Sequence, residues 1–503
     1  MNRFIVTCIL ASLSLAQGCH LTYATFDYGA DAGPDAHRPL DADALPDSGE
    51  NDAGCRMLCD GECTDTNTDP THCGSCTRSC STPEHGTAIC SAAACDFVCD
   101  PGYTRLAGMC AERAAPRPIS PLSTATVSSQ RPTLRWELAP RSDGARLELC
   151  EDRACASVLA TIDAPGNSTR PPANLPSGVV FWRLFGLADG ASGTTASPTW
   201  QFYVGTRSAA GDVDTSWGTT LDVNGDGFPD VAAGAPSANT LDGAAYAYLG
   251  GPSGVSTEPQ TFLGPTSMGR FGQSVASAGD INGDGFADLV VGATHVNSRS
   301  GAAYIYRGSP DGLILEPDIL EGTSPAGEFG RAVASAGDIN GDGFGDIIVG
   351  APGANGSAGA AYIYLGGPDG LRRTPLELDG PGVGAEFGRA VAGLGDIDGD
   401  GFNDIIVGAW AMNANDGASY VYRGGMSGLS SVPQTLNGPA SREGEFGRAV
   451  ASAGDINGDG FSDIIIGAPE EESGDGAAYL FLGGTPLGTP QRLDGPACGF
   501  QAT

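Results

Sequence analysis

From residue 206 onward, apolar positions fall into short runs that return at a fixed period. One unit reads FGRAVASAGD, then an acidic stretch, then DIIVGAP, GAAYIYLGG and TPLELDGP. The runs are rich in Val, Ile and Tyr and are bounded by Gly, Pro or Asp, which predicts strands. The first acidic residue of each unit is Asp222, Asp280, Asp338, Asp396 and Asp455, at spacings of 58, 58, 58 and 59 residues. Four short strands per unit make one antiparallel blade. A single blade cannot bury both faces, so the units stack side by side.

Residues 116–205 carry a second strand pattern: PTLRWEL, ARLELC, SVLATI, GVVFWRLFGL and PTWQFYVG, several of them alternating. This predicts one β-sandwich with Trp136, Trp182 and Trp200 in its core, resembling fibronectin type III or immunoglobulin-like domains. Cys150 and Cys155 would close a local hairpin loop. The domain reads as a spacer or as a ligand-binding module. Residues 20–54 have no periodicity and are dominated by Asp, Ala, Pro and Gly, a composition that cannot repay its ordering entropy.

Cysteine changes the picture for residues 55–112. Ten cysteines, Cys55 to Cys110, stand in fewer than sixty residues. A core that small needs staples, so disulfides are expected, with connectivity open. TDPTHCGSC at Thr68–Cys76 is similar to a motif of small bacterial Cys-rich modules and stigma-specific-type proteins. The rival is zinc, because Cys73 and Cys76 have C-x₂-C spacing.

The start of the chain reads as an export signal, 1–18: Arg3, then the apolar run Phe4–Leu15, too short to span a bilayer. LAQGC resembles a bacterial lipobox with Cys19 as the lipidated residue, although Ala16 and Gln17 depart from the usual pattern. Residues 19–54 then form a tether, and an outer-membrane or cell-surface lipoprotein is expected, with plain secretion as the alternative.

Net charge is −34, which argues against a nucleic-acid partner. No lysine occurs, so Schiff-base chemistry and P-loop phosphate binding are disfavoured. Much of the negative charge sits in five loops: LDVNGDGFPD, DINGDGFAD, DINGDGFGD, DIDGDGFND and DINGDGFSD. In D-x-N-x-D-G-x-x-D, oxygens at positions one, three, five and nine and the carbonyl at seven converge on one point, and Gly at six permits the turn. Ca²⁺ takes six to eight such hard oxygens. An EF-hand would need Glu at position twelve. Here Ala233, Val291, Val349, Val407 and Ile466 stand there, so these are hairpin loops. Asx-rich turns without metal are the alternative.

FG at Phe271-Gly272, Phe329-Gly330, Phe387-Gly388 and Phe446-Gly447, with GAP at Gly234–Pro236, Gly350–Pro352 and Gly467–Pro469, makes the units resemble FG-GAP repeats, as in the β-propeller of integrin α-subunits. The resemblance covers about 215–495. It implies an all-β chain with a calcium-binding propeller of about five blades over 212–503, and about five structural Ca²⁺ sites. The ligand sets are Asp222, Asn224, Asp226, Phe228 and Asp230; Asp280, Asn282, Asp284, Phe286 and Asp288; Asp338, Asn340, Asp342, Phe344 and Asp346; Asp396, Asp398, Asp400, Phe402 and Asp404; and Asp455, Asn457, Asp459, Phe461 and Asp463, each Phe through its carbonyl.

Catalysis is not expected. The array holds one histidine, His295, and the chain has no H-E-x-x-H and no G-x-S-x-G. The calcium is read as structural, with Kd on the order of 10⁻⁴–10⁻³ M. The loops after GAP and the links before FG differ in every unit and should share the rim opposite the metal loops. That rim is the expected place for a protein or glycan ligand, with Trp410, Met412, His295, Arg299 and Glu470–Glu472 as residues to watch. The alternative there is drift of unconstrained loops. Unit one lacks the FG element, and the tail LDGPACGFQAT starts like a sixth unit, leaving Cys498 odd. The expected function is surface binding or adhesion; the rivals are a structural envelope protein and the substrate-binding part of an extracellular hydrolase system.

Overall fold

A computed structural model describes residues 57–494, apart from 60–61, 189, 207, 209–213 and 440–442. The predicted signal segment, Cys19, the tether, Cys55 and Cys498 lie outside the described residues. Among the described residues no helix is long and apolar enough to cross a membrane.

The Cys-rich segment is three two-stranded hairpins: Met57–Cys59 with Glu62–Thr64, Gly86–Ser91 with Ala94–Cys99, and Tyr103–Leu106 with Met109–Glu112. Disulfides join Cys73 to Cys90, Cys80 to Cys95 and Cys99 to Cys110. Cys76 is disulfide-bonded as well. Both cysteines of the C-x₂-C pair are therefore oxidised, which removes the zinc reading.

Two sheets follow. The larger runs Val158–Pro165, Gly144–Cys150, Gly178–Ala188, Trp200–Val204, Thr126–Val127 and Ser216–Trp217, with Ala191–Ala196 attached to Gly178–Ala188. The smaller is Ser168–Thr169, Leu134–Glu137 and Arg117–Ser120. Alternation along these strands points Trp136, Leu147, Leu149, Trp182, Leu184, Trp200 and Phe202 into one shared core. All three tryptophans are fully buried. Cys150–Cys155 closes the hairpin loop as expected.

Five antiparallel sheets make up the array. Blades 2 to 5 have four strands each, beginning at Phe271, Ala332, Val391 and Ala449. Blade 1 has three: Val231–Ala235, Ala244–Tyr248 and Gln260–Leu263. Its missing first strand is accounted for. Ser216–Trp217 aligns with the first strands of the other units but pairs with Thr126–Val127 of the sandwich. The sandwich thus extends beyond the predicted boundary at 205.

Each internal blade is buried on both faces. In DIIVGA, Ile347 and Val349 face blade 2 while Ile348 faces blade 4. Hence the second strands read as continuous apolar runs. Blades 1 and 2, 2 and 3, 3 and 4, and 4 and 5 each share a core. Among the described residues blades 5 and 1 share none. Val231 is 48 % exposed at one end of the arc and Ile456 56 % at the other, whereas Leu289 and Ile397, at the same places in other blades, are fully buried.

Candidate metal loops and the two rims

Each acidic loop folds on its own first and last carboxylates. In loop 2, Asp280 accepts hydrogen bonds from the backbone N–H of Gly283 at 2.7 Å, Asp284 at 3.1 Å and Gly285 at 2.7 Å. Asp288 accepts from Ile281 at 2.9 Å and from Gly308, at the end of the third strand, at 2.8 Å. The position-nine Asp therefore ties the loop to its blade. Loop 3 repeats this with Asp338 and Asp346. Loop 5 repeats it with Asp455 and Asp463. Gly at position six has positive φ in all five loops, from 81° to 95°, which a side chain would strain.

Position-one and position-nine carboxylates are buried in loops 1 to 4. Among the described residues, those of loops 1, 2, 3 and 5 form no salt bridge. Desolvation pushes Asp280 and Asp338 up to about 7, and Asp230 and Asp396 up to about 6. Burial lifts Asp288 and Asp346 well above the usual carboxylate range. Converging buried carboxylates whose position-one and position-nine members have no ion-pair partner among the described residues suit a hard divalent cation. In loops 1, 2, 3 and 5 the position-three Asn turns its Nδ2 to the position-five Asp, at 2.8 to 3.0 Å.

Loop 4 differs. Asp398 replaces the Asn, and Arg423 Nη1 lies 2.7 Å from Asp398 Oδ2 and 3.9 Å from Asp404 Oδ2. The extra carboxylate is matched by a built-in cation. Asp396, Asp398 and Asp404 still bring carboxylate oxygens within 4.8 Å of one another. Burial pushes Asp404 up to about 8, with Arg423 opposing it.

The position-seven Phe residues, predicted to contribute only a carbonyl, also lock the blades together. A Cβ on Gly283, Gly341 or Gly399 would lie 2.9, 2.6 or 2.7 Å from the ring of Phe344, Phe402 or Phe461 in the next blade. Backbone bonds reinforce this: Gly345 N–H to Asp280 O at 2.7 Å and Gly367 N–H to Ile281 O at 3.0 Å. The acidic loops are therefore blade-to-blade joints. At the first joint the sandwich intervenes. Arg153 stacks on Phe286 at 4.1 Å. Its guanidinium donates to the carbonyls of Gly225 at 2.7 Å, Thr199 at 2.8 Å and Gly285.

Other sandwich residues reach the same rim. Trp200 Nε1 donates to Gly283 O at 3.1 Å, Gln201 Nε2 to Asp222 Oδ2 at 2.7 Å, and Thr215 Oγ1 to Gly460 O. Arg117 lies over the Phe344 ring at 4.7 Å. The sandwich thus docks on the acidic-loop rim and caps it.

On the opposite rim the varied loops share a frame. Asn239, Asn297, Asn355 and Asn413 all have positive φ, 49° to 53°, which Asn tolerates better than most residues. The links before FG hydrogen-bond to these turns, as in Glu328 N–H to Arg299 O and Gly353 N–H to Gly327 O. The side chains around this turn vary from unit to unit on a shared backbone. Trp410 Nε1 donates to Glu386 at 3.0 Å, and Arg448 sits over the Trp410 ring at 4.6 Å. Arg299 pairs with Glu328. His295 Nδ1 lies 3.0 Å from Thr294 Oγ1, and Met412 is partly buried in the core shared by blades 3 and 4. Glu471 is buried and accepts from Tyr479 at 2.5 Å, so it leaves the set of rim residues. The reading of the sequence missed Arg331, Arg389 and Arg448, which follow FG in three units. Burial and the neighbouring Arg389 lower Arg331 from its ordinary value.

Residues 329–364, 387–422 and 446–481 match the FG-GAP repeat family, and 222–291 matches the FG-GAP-like repeat. The chain carries FG-GAP repeats. Integrin alpha-5 of Xenopus laevis is 36 % identical over 212 residues, 39 % of this chain and 20 % of that protein. Integrin alpha pat-2 of Caenorhabditis elegans is 30 % identical over 256 residues, 46 % of this chain and 20 % of that one. Human integrin alpha-IIb is 41 % identical over 157 residues, 28 % and 15 %. The chain thus spans about a fifth or less of the length of these curated relatives. Among solved structures, the Aleuria aurantia lectin aligns at 11 % identity with a TM-score of 0.28, covering 64 % of this chain and 97 % of that one, too loose a likeness to bear on fold or function.

Proposed function

We propose that this chain is an exported, non-catalytic adhesion or binding protein whose FG-GAP blades are fastened by calcium and whose ligand, a protein or glycan, meets the rim opposite the metal loops. The observation that carries this reading is the division of labour between rims. The sandwich covers the metal loops through Arg153, Trp200 and Gln201. The opposite rim presents different side chains on one repeated backbone. In each loop, carboxylates at positions one, five and nine, an Asn or Asp at three and a Phe carbonyl at seven would hold the Ca²⁺. The bound ion would supply positive charge to the clustered carboxylates, which in loop 4 already face Arg423. The similarity to integrin α-subunits supports an adhesive role.

The test is a protein and glycan array probed with the full chain, followed by Trp410→Ala and Arg299→Ala. Ligands that survive both substitutions on this rim would contradict the reading. A passive envelope role predicts no ligand with or without calcium.

A further inference from the structure

Charge is paired unevenly on the rim opposite the acidic loops. The residue before FG has the same left-handed backbone in blades 2 to 5, with φ of 55°, 55°, 48° and 54° at Arg270, Glu328, Glu386 and Glu445. In blades 4 and 5 that glutamate pairs with the arginine three residues on: Arg389 Nη1 lies 3.1 Å from Glu386, and Arg448 pairs with Glu445. Blades 2 and 3 break the pattern. Glu328 is taken by Arg299, from the turn Val296–Arg299 of blade 2. In blade 2 the glutamate is replaced by Arg270, and the arginine by Gln273.

Two arginines are left over. Eight others in the array each stand within ion-pair distance of a carboxylate. Among the described residues Arg270 and Arg331 do not, in a chain with 60 acidic and 26 basic residues. Residues 440–442, in the link before the FG of blade 5, are Ala, Ser and Arg and bring no carboxylate. Both arginines serve one joint: Arg270 immediately precedes the first strand of blade 2, and Arg331 that of blade 3. Burial, then Arg270 and Arg299, lower His295 from its ordinary value. Burial, then Arg389, lower Arg331, and Arg270 adds to the effect. Like charges thus crowd at this joint, and a bound carboxylate would relieve them. Apolar side chains stand exposed in the links beside it: Met268, two residues before Arg270, is 60 % exposed, and Val383, in the link of blade 4, is 87 % exposed. Trp410, the ring on which a sugar could stack, already has Arg448 over it. Acidic and apolar groups together suit a peptide better than a glycan.

We propose that the joint of blades 2 and 3 binds an acidic peptide segment of a partner protein, with its carboxylate held by Arg270 and Arg331 and its apolar side chains against Met268 and Val383. The proposal rests on the reading that this rim carries the ligand, and adds the ligand's chemistry. A guanidinium meets a carboxylate as a two-bond fork, which lysine cannot reproduce.

The test is selection from a phage-displayed library of random peptides on the full chain in calcium, followed by fluorescence anisotropy of the selected peptides, synthesised with a label. Enrichment of Asp and Glu beside apolar residues is expected. Arg270→Gln and Arg331→Gln should each weaken binding about tenfold, and Arg331→Lys by less. The melting temperature should hold in all three, since neither guanidinium has an ion pair to lose, so lost binding is not lost folding. Selected peptides without acidic enrichment, or with binding unchanged by both glutamine variants, overturn the proposal. If Trp410→Ala still weakens such peptides, the rim reading survives while this one fails. Absence of any selected peptide overturns it too. Binding of oligogalacturonate alone, abolished by both glutamine variants, would assign the arginines to an acidic glycan and overturn it as well.

Discussion

The two rims of the blade array solve opposite problems with the same repeat. On the metal-loop rim, side chains are constant and the backbone carbonyls of Gly225, Gly283 and Gly285 are taken up by the sandwich. On the other rim, units 1 to 4 share a left-handed turn at Asn239, Asn297, Asn355 and Asn413, and the side chains around that Asn vary. The lesson is that repetition of chemistry marks the joints, whereas the other rim repeats its backbone and varies its side chains.

The comparison breaks first at the metal. If the loops are calcium fasteners, each site adds about 2.7 kcal/mol at a hundredfold excess of ion over Kd. Chelation should therefore lower the melting temperature substantially, and calorimetry reads it. A sign follows for pH. Asp280, Asp338 and Asp404 bind protons more tightly when folded than unfolded, with values of about 7, 7 and 8. Chelated protein should thus lose stability as pH rises from about 4 through about 8. Saturating calcium should flatten that slope. Urea melts at pH 5 and pH 8, with and without chelator, check both.

A smaller effect belongs to the cap. Arg153→Ala removes three hydrogen bonds from a charged donor to backbone carbonyls and should cost about 2–3 kcal/mol. Limited proteolysis between residues 205 and 217 should quicken in parallel. Smaller again is the change at loop 4. Arg423→Met removes the resident cation, so calorimetric titration should show that loop's affinity rise toward that of the others. An unchanged isotherm would mean that Arg423 and calcium do not compete. Smallest is the opposite rim: Trp410→Ala removes the contacts with Glu386 and Arg448 and should shift stability by no more than about 1 kcal/mol, while ligand binding falls.

Much of this was legible in the residues. The period of the acidic loops located the joints, and DIIVGA, apolar at all three positions between its Asp and its glycine, announced strands buried on both faces. The same stretch in unit one, DVAAGA, is trimmed to alanine, which signals a blade with one free face. Pro229 adds to that signal. It stands where Ala287, Gly345 and Asn403 donate an N–H to the preceding blade, and proline has none to give. What could not be read was partnership across domains. Arg153 and Gln201 look like ordinary strand-end residues, because their partners are backbone and carboxylate groups far along the chain. Nor could sequence show that Ser216–Trp217 leaves its own blade, since its pairing with Thr126–Val127 depends on where the sandwich docks.

The most direct test of the division between rims is hydrogen exchange of the full chain, with calcium and with chelator. Removal of the ion should speed exchange at Gly283 and Gly285, at Gly341 and Gly343 and in the capping segment 199–201, while the turns 239–241, 297–299 and 355–357 stay as they were. Equal acceleration on both rims, or none in the metal loops, would contradict the account.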